Sequence, residues 1–324
     1  MRSFVRTHRD LLGLTVVLCA VFLVMWALNP DRFVTPNNLR SMAFQLPEIG
    51  ILTLGMMVAM LHGGINLSIV GLANLTGITI ALVLHAIVPQ ATSGEAGWVS
   101  GLLAVGAGLL ASLLVGLLQG VLIGYAGVSA ILATLGTMTL VNGACVLITH
   151  GSTLTGFPSS ILVLGNGSLG PVPMPLLLFL ISALLLSVLL RRTTFGFSVY
   201  MLGTNQEATK FAGINNRLVL LKVYLLSSLL ASIAGLVMMG RFNSVKADYG
   251  QSYLLITVLA AVLGGTSASG GFGKVLGVVL AVIMLQMIAS GLNLLGVDPF
   301  FAIATWGAIL LVVMALNHFL RART

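Results

Sequence analysis

The stretch WVSGLLAVGAGLLASLLVGLLQGVLI, residues 98–123, decides the fold class of this chain. It contains no aspartate, glutamate, lysine or arginine, and it exceeds the roughly 20 residues that an α-helix needs to cross a bilayer. Its apolar residues follow one another without the two-residue alternation of a membrane strand. The stretch therefore predicts a transmembrane helix and argues against a membrane barrel.

The composition of the whole chain agrees with this stretch. Hydrophobic residues make up 58% of the 324 residues and charged residues only 7%, whereas soluble domains carry about 25% charged residues. Because so few charges cannot cover a water-exposed surface, the exterior of the protein must face lipid. The net charge of +8 does not indicate nucleic-acid binding, because the charges lie at span ends and in loops, where they determine topology.

Nine further apolar segments accompany the first and predict a single all-α membrane bundle over residues 1–324 with about ten transmembrane helices. Two of them, 46–61 and 253–264, look short for a full crossing and run into glycine pairs, Gly63-Gly64 and Gly264-Gly265. Such breaks in membrane helices often mark a translocation route. The other seven segments are 11–28, 67–88, 128–149, 174–190, 218–240, 274–295 and 300–320.

The distribution of positive charge predicts the orientation of this bundle. Ten crossings place both termini on one side, and that side carries eleven of the 15 lysines and arginines. Because the cytoplasmic side of a membrane protein carries the excess of positive charge, both termini are predicted to be cytoplasmic. The longest cytoplasmic loop is then 191–217.

Two polar features fall in or beside the spans. The run Gly63-Gly64-Ile65-Asn66-Leu67-Ser68 combines helix-breaking glycines with polar side chains, which indicates either a path through the membrane or a short cytoplasmic turn. Thr134, Thr137 and Asn142 lie roughly on one side of the fifth span. They indicate either a path for a hydroxylated solute or hydrogen bonds between helices.

Two loops carry further signals. In the loop 203–214, Thr204 or Asn205 can cap a short helix that starts near Gln206, with Gly213 to end it, and such a helix is a plausible docking element for a partner protein. The loop 264–274 resembles a phosphate-binding loop but fails the pattern, because Ala268 and Val275 replace the required glycine and serine or threonine. ATP hydrolysis is therefore not expected on this chain.

The charged residues and histidines argue against two other classes of protein. Only one carboxylate, Glu48, falls within a predicted span, and the sequence suggests no buried ion pair, as a proton-driven transporter would need. No histidines have metal-ligand spacing on one helix, and no catalytic constellation is visible. We therefore expect no metal, no cofactor and no catalytic residue, although an ion-coupled secondary transporter stays open as an alternative.

Six motifs, in order along the chain, carry a resemblance to one family. They are Asn37-Asn38-Leu39, Gly63 to Ser68, Ala133-Thr134-Leu135-Gly136-Thr137-Met138, Gly203 to Ile214, Gly264-Gly265-Thr266-Ser267, and Gly291 to Val297. Together they resemble the motifs of the permeases of bacterial ribose-type sugar importers of the ATP-binding cassette class. The resemblance extends from about residue 36 to 318.

The resemblance implies a bacterial inner-membrane permease subunit of an ATP-driven sugar importer, working as a dimer with a second copy or a homologous permease. It implies a cytoplasmic ATPase that carries ATP and magnesium, and a periplasmic sugar-binding protein. Residues implied near the translocation path are Asn66, Ser68, Asn74, Thr134, Thr137, Asn142 and Asn293. Residues implied in ATPase coupling are Gly203, Asn205, Glu207, Ala208, Lys210 and Gly213.

The chain departs from the family pattern at two acidic positions. Asn66 replaces the aspartate of the motif GGIDLS, and residues 254–257 lack a further acidic residue. The loss of both charges fits one half of a heterodimer better than a homodimer.

Overall fold

The computed structural model describes residues 2–87, 98–298, 301, 304 and 306–308, and their regular structure is almost entirely helical. The helices are α1 (Arg2–Leu28), α2 (Pro36–Leu61), α3 (Ile69–Ile87), α4 (Trp98–Gly124), α5 (Ala130–Thr149), α6 (Ser159–Asn166), α7 (Met174–Arg192), α8 (Thr194–Thr204), α9 (Gln206–Phe211), α10 (Asn216–Phe242), α11 (Tyr253–Leu263) and α12 (Val275–Leu294). The strands are β1 (Leu154–Thr155), β2 (Ser168–Leu169), β3 (Val172–Pro173) and β4 (Ser244–Val245). They pair antiparallel, β1 with β4 and β2 with β3.

Each of the first nine predicted apolar segments coincides with a helix. Seven helices of the described residues are long and apolar enough to cross a bilayer, and α11 and the apolar part of α1 are shorter. The tenth predicted segment, 300–320, lies largely outside the described residues. Ten crossings and the cytoplasmic location of both termini therefore stay predictions.

The prediction of a short second span is wrong. Helix α2 has 26 residues and begins at Pro36, ten residues before the apolar run, because proline suits the first helical position. The hydroxyl of Thr35 caps this start by accepting a hydrogen bond from the Asn38 backbone N–H at 3.3 Å. The polar residues of the first turns of α2 conceal the helix in an apolarity profile.

Helices α2 and α10 form the centre of the bundle. Helix α10 packs against α2, α3, α4 and α6, and α2 packs in addition against α7, α11 and α12. In the most apolar stretch of each helix, 83% of the residues are buried in α2 but only 28% in α4 and α5. We call the end of the bundle at Pro36 the upper end and the end at Leu61 the lower end.

The loop 150–173 contains structure that the apolar pattern does not indicate. Helix α6 packs against α10, with Gly165 and Gly240 so close that neither has space for a side chain. Strand β1 pairs with β4, and the segment after β4 runs back toward the bundle, since the Asn74 amide donates to the Ala247 and Tyr249 carbonyls at 3.0 and 2.9 Å. This upper loop is therefore an ordered cover.

The expectation that no span holds a buried ion pair is also wrong. Glu48 in α2 is 1% exposed and pairs with Arg241 in α10. Its Oε1 atom also accepts a hydrogen bond from the Tyr253 hydroxyl at 2.6 Å. The residues are about 190 to 205 positions apart in sequence, so only the packing of α2, α10 and α11 brings them together.

Candidate functional site

The end of α2, helix α8 and the loop 264–274 meet at the lower end of the bundle. The Gly271 N–H donates to the Leu61 carbonyl at 2.9 Å, and the Tyr200 hydroxyl donates to the Gly273 carbonyl at 2.8 Å. Gly203 of α8 lies close to both backbone segments, and a Cβ atom on it would overlap the Leu61 carbonyl oxygen and the Gly271 nitrogen. Gly203 therefore packs directly against the end of α2 and the loop 264–274.

The short helix predicted in the loop 203–214 is present as α9. Asn205 caps it, since its Oδ1 accepts hydrogen bonds from the N–H groups of Glu207 and Ala208 at 2.9 and 3.0 Å. Gly213 follows the helix with φ of 76°, a conformation that favours glycine. The local sequence therefore specifies α9, as the cap residues predict.

Helices α8 and α9 enclose an apolar groove that is open to the surface. Its volume is about 260 Å³, and its lining residues are Phe197, Tyr200, Met201, Thr204, Asn205 and Ala208. Phe211, at the end of α9, is 91% exposed. Of the predicted coupling residues, Glu207, Ala208 and Lys210 are exposed, so this surface is accessible to a partner.

A second group of predicted residues, Asn66 and Ser68, forms a buried polar network with Ser227, which we call the sealed network. The Asn66 amide donates to the Ser227 hydroxyl at 2.9 Å, and the Ser68 hydroxyl donates to Asn66 Oδ1 at 2.8 Å. Ser227 in turn donates to the Gly55 carbonyl at 3.0 Å. Asn66, Ser68 and Ser227 are all 0% exposed, so the network ties the segment before α3 to α2 and α10.

Gln119 in α4 completes this network and was missed by the sequence analysis. Its Nε2 atom donates to the hydroxyls of Ser68 at 2.5 Å and Thr137 at 2.6 Å. Its Oε1 atom is buried without a partner among the described residues. The sequence gives one indication of this contact, because Gln119 is the one glutamine in the charge-free stretch 98–123.

The remaining predicted path residues lie in different surroundings. Thr134 donates to the Ile65 carbonyl at 2.9 Å, which holds α5 against the segment before α3. Asn74 is buried and holds the segment that follows β4, as described above. Asn142 is half-buried and packs against Gly71. Asn293 is exposed near the upper end of α12, on a different helix from the residues of the sealed network.

We expect Asn66→Ala to lower the free energy of unfolding by about 1–3 kcal/mol, because buried hydrogen-bonding groups of Ser68 and Ser227 lose their partner. Thermal unfolding of the purified chain in detergent measures the effect. Asn142→Ala is the matched control, since Asn142 is half-buried and a change there should stay within about 0.5 kcal/mol. Equal stability of both variants would contradict a stabilising role of the network.

Comparison with known proteins places these features in context. The family described as branched-chain amino acid transport system / permease component matches residues 38–316. The chain is 32% identical over 309 residues to the ribose import permease of Bacillus subtilis (strain 168), covering 95% of this chain and 92% of the relative. It is 33% identical over 308 residues to the autoinducer 2 import system permease of Klebsiella pneumoniae, covering 93% and 89%. It is 27% identical over 310 residues to the D-allose transport system permease of Escherichia coli (strain K12), covering 95% and 92%. No solved structure matches the chain.

Proposed function

The chain belongs to the branched-chain amino acid transport system permease family, and we propose that it is the membrane subunit of an ATP-driven importer of a sugar or a similar hydroxylated solute. As a member of this family it is a multi-pass inner-membrane transport subunit and not an enzyme. The relatives with ribose, autoinducer 2 and D-allose in their names support a hydroxylated solute. A periplasmic binding protein would deliver the solute, and a second permease, identical or homologous, would complete the path.

The lower end of the bundle is proposed to face the cytoplasm. The loops at this end include Lys210, Arg217 and Lys274, whereas the upper end carries fewer basic residues, among them Arg32 and Arg40. An excess of lysine and arginine marks cytoplasmic loops. The groove between α8 and α9 would then be accessible to a cytoplasmic ATPase, which would carry ATP and magnesium.

The observation that carries the coupling proposal is the close approach of Gly203 to Leu61 and Gly271. Helix α9 begins three residues after Gly203, so a force on α9 would reach the end of the central helix α2 through backbone contacts. The exposed Phe211 and the apolar groove fit an apolar partner surface, since aromatic residues are enriched where proteins bind one another. Closure of the ATPase would thus move α2 and the loop 264–274.

The seven proposed path residues fall into two groups by accessibility. Asn293 and Asn142 are exposed or half-buried and would meet the solute in the present conformation. The other five, Asn66, Ser68, Asn74, Thr134 and Thr137, are buried. Asn66, Ser68, Thr134 and Thr137 would meet the solute only after α5 and the segment 62–68 separate from α4 and α10, which is the kind of movement that coupling to ATP would drive. Asn74 would meet it only after release of the segment that follows β4.

We expect Phe211→Asp to abolish co-purification of the ATPase while leaving the stability of the chain itself unchanged. The side chain is 91% exposed, so the substitution removes an apolar partner contact without disturbing packing. Tyr125→Asp is the matched control, an aromatic residue 47% exposed in a different loop of the lower end. Retention of the ATPase by the Phe211 variant would contradict docking at α9.

One observation favours the second candidate, an ion-coupled secondary transporter. Glu48 is buried, and its Oε2 atom has no partner among the described residues. Carboxylates inside membrane spans commonly serve ion coupling. The two candidates differ in what drives uptake into liposomes. The secondary transporter would need only the isolated chain and an ion gradient, whereas the importer would need an ATPase partner and ATP.

A further inference from the structure

A strip of uncharged polar side chains runs along the upper halves of α2 and α12. On α2 the strip contains Asn38, Ser41 and Gln45, and on α12 it contains Gln286, Ser290 and Asn293. The spacings of three or four residues place each set on one face of its helix. We call these six residues the upper polar strip.

Hydrogen bonds join the two halves of the upper polar strip. The Ser290 hydroxyl donates to Asn38 Oδ1 at 2.8 Å, and the Gln286 amide donates to Gln45 Oε1 at 3.2 Å. Within α2 the Gln45 amide donates to the Ser41 hydroxyl at 2.9 Å. These bonds form two groups across the two antiparallel helices, Asn38 with Ser290, and Ser41 with Gln45 and Gln286.

The upper polar strip differs from the sealed network in its exposure. Ser41 and Asn293 are exposed, Asn38, Gln45 and Ser290 are half-buried, and only Gln286 is buried. Polar residues that serve only to bind two helices together lie between them. Here two of the six residues are exposed and three are half-buried, so part of the row faces away from both helices.

The deepest amides of the strip are poorly suited to contact with lipid. At 1.5 Å per residue, Gln286 lies about 12 Å from the upper end of α12, and Gln45 lies about 14 Å from the upper end of α2. Amides far from the helix ends are unfavourable against hydrocarbon, where no water satisfies them. Water or protein is therefore the favoured neighbour of these two residues.

A cavity extends the strip into the bundle. It has a volume of about 40 Å³ and lies between α2, α11 and α12, with Gln286, Ile49 and Trp306 in its wall. The wall is mostly apolar, since the other lining residues are Ile256, Val282, Leu285 and Ala289. The cavity therefore marks a space beside Gln286 that the packing does not fill.

We propose that the upper polar strip lines the upper half of the solute path and binds the hydroxyl groups of the passing solute. This proposal rests on the proposed function, and it adds five path residues to Asn293, namely Asn38, Ser41, Gln45, Gln286 and Ser290. Amide and hydroxyl groups offer both donors and acceptors, which matches a neutral polyhydroxylated molecule. The row contains no charge, so it exchanges its hydrogen bonds for those of water without holding the solute tightly.

Cysteine labelling on spheroplasts tests the proposal. Ser41→Cys, Gln45→Cys and Ser290→Cys are made singly after replacement of Cys19 and Cys145, and a membrane-impermeant maleimide is added from outside. We expect labelling of all three, with slower labelling in the presence of ribose and loss of ribose uptake after labelling. Leu103→Cys is the matched control, since Leu103 is 58% exposed at a comparable depth in α4 and should stay unlabelled.

Three results would overturn the proposal. These are unreactive strip cysteines, labelling of the Leu103 variant at the same rate, and disulfide formation between two copies of the Ser41 variant, which would make the strip a subunit interface. Failure of the proposed function would give a different result from failure of this proposal. Labelled strip cysteines in a chain whose wild type takes up solute without ATP would keep the hydrated path and remove the ATP-driven importer.

Discussion

Arg241→Ala should lower the free energy of unfolding by about 3–5 kcal/mol, because it leaves the buried carboxylate of Glu48 without its counter-charge. Glu48 is 1% exposed, and its only other described partner is the Tyr253 hydroxyl. The single carboxylate joins α2, α10 and α11, so all three helices should loosen together at the upper end. The midpoint of thermal unfolding in detergent measures the loss.

Two further variants define what the Arg241 result means. Lys246→Ala breaks the exposed pair with Asp248, in which the side chains are 35% and 49% exposed, and should cost only about 0–1 kcal/mol. The double variant Glu48→Leu with Arg241→Met removes both charges and should recover most of the stability, since apolar replacements of buried pairs are often neutral. Unchanged stability of Arg241→Ala would contradict the buried pair.

Gly203→Ala should abolish ATP-dependent uptake and lower stability by about 1–3 kcal/mol, the typical cost of overpacking. The added Cβ would overlap two backbone atoms, the Leu61 oxygen and the Gly271 nitrogen, and backbone cannot rotate away as a side chain can. The segment around Gly203 would then separate from the end of α2. Uptake assays and thermal unfolding on the same preparations measure both effects.

Gly106→Ala is the control for this substitution, because Gly106 is also helical and its Cβ would meet nothing within 4 Å. Alanine there should be neutral or stabilising by up to about 1 kcal/mol, from its better helix propensity. Full uptake by the Gly203 variant would show that the tight contact at the lower end is not needed for coupling.

The location of nine apolar helices could be predicted from the sequence, because each contains a long apolar run. The start of α2 could not, since Pro36, Asn37 and Asn38 read as a polar loop while the Thr35 cap and a proline at the first position favour a helix. Helix α9 was predictable for the opposite reason. Its cap at Asn205 is a local feature of the sequence, and so is the glycine that follows it.

The contacts between distant residues could not be predicted from one sequence. Glu48, Arg241 and Tyr253 lie in three different helices, and no spacing rule connects them. The same holds for Gln119 with Ser68. Residue type suggested Asn66 and Ser68 as path residues, but only the packing shows that they lie in a sealed network, whereas the polar strip on α2 and α12 is partly exposed.

The most direct test of the central proposal is affinity purification of the tagged chain in mild detergent from its native cells, followed by reconstitution with the periplasmic binding protein and assay of sugar uptake with and without ATP. The proposal predicts a stoichiometric ATPase, a second permease copy or a homologous permease, and uptake that depends on ATP. A chain that purifies alone and carries solute into liposomes without ATP would contradict it.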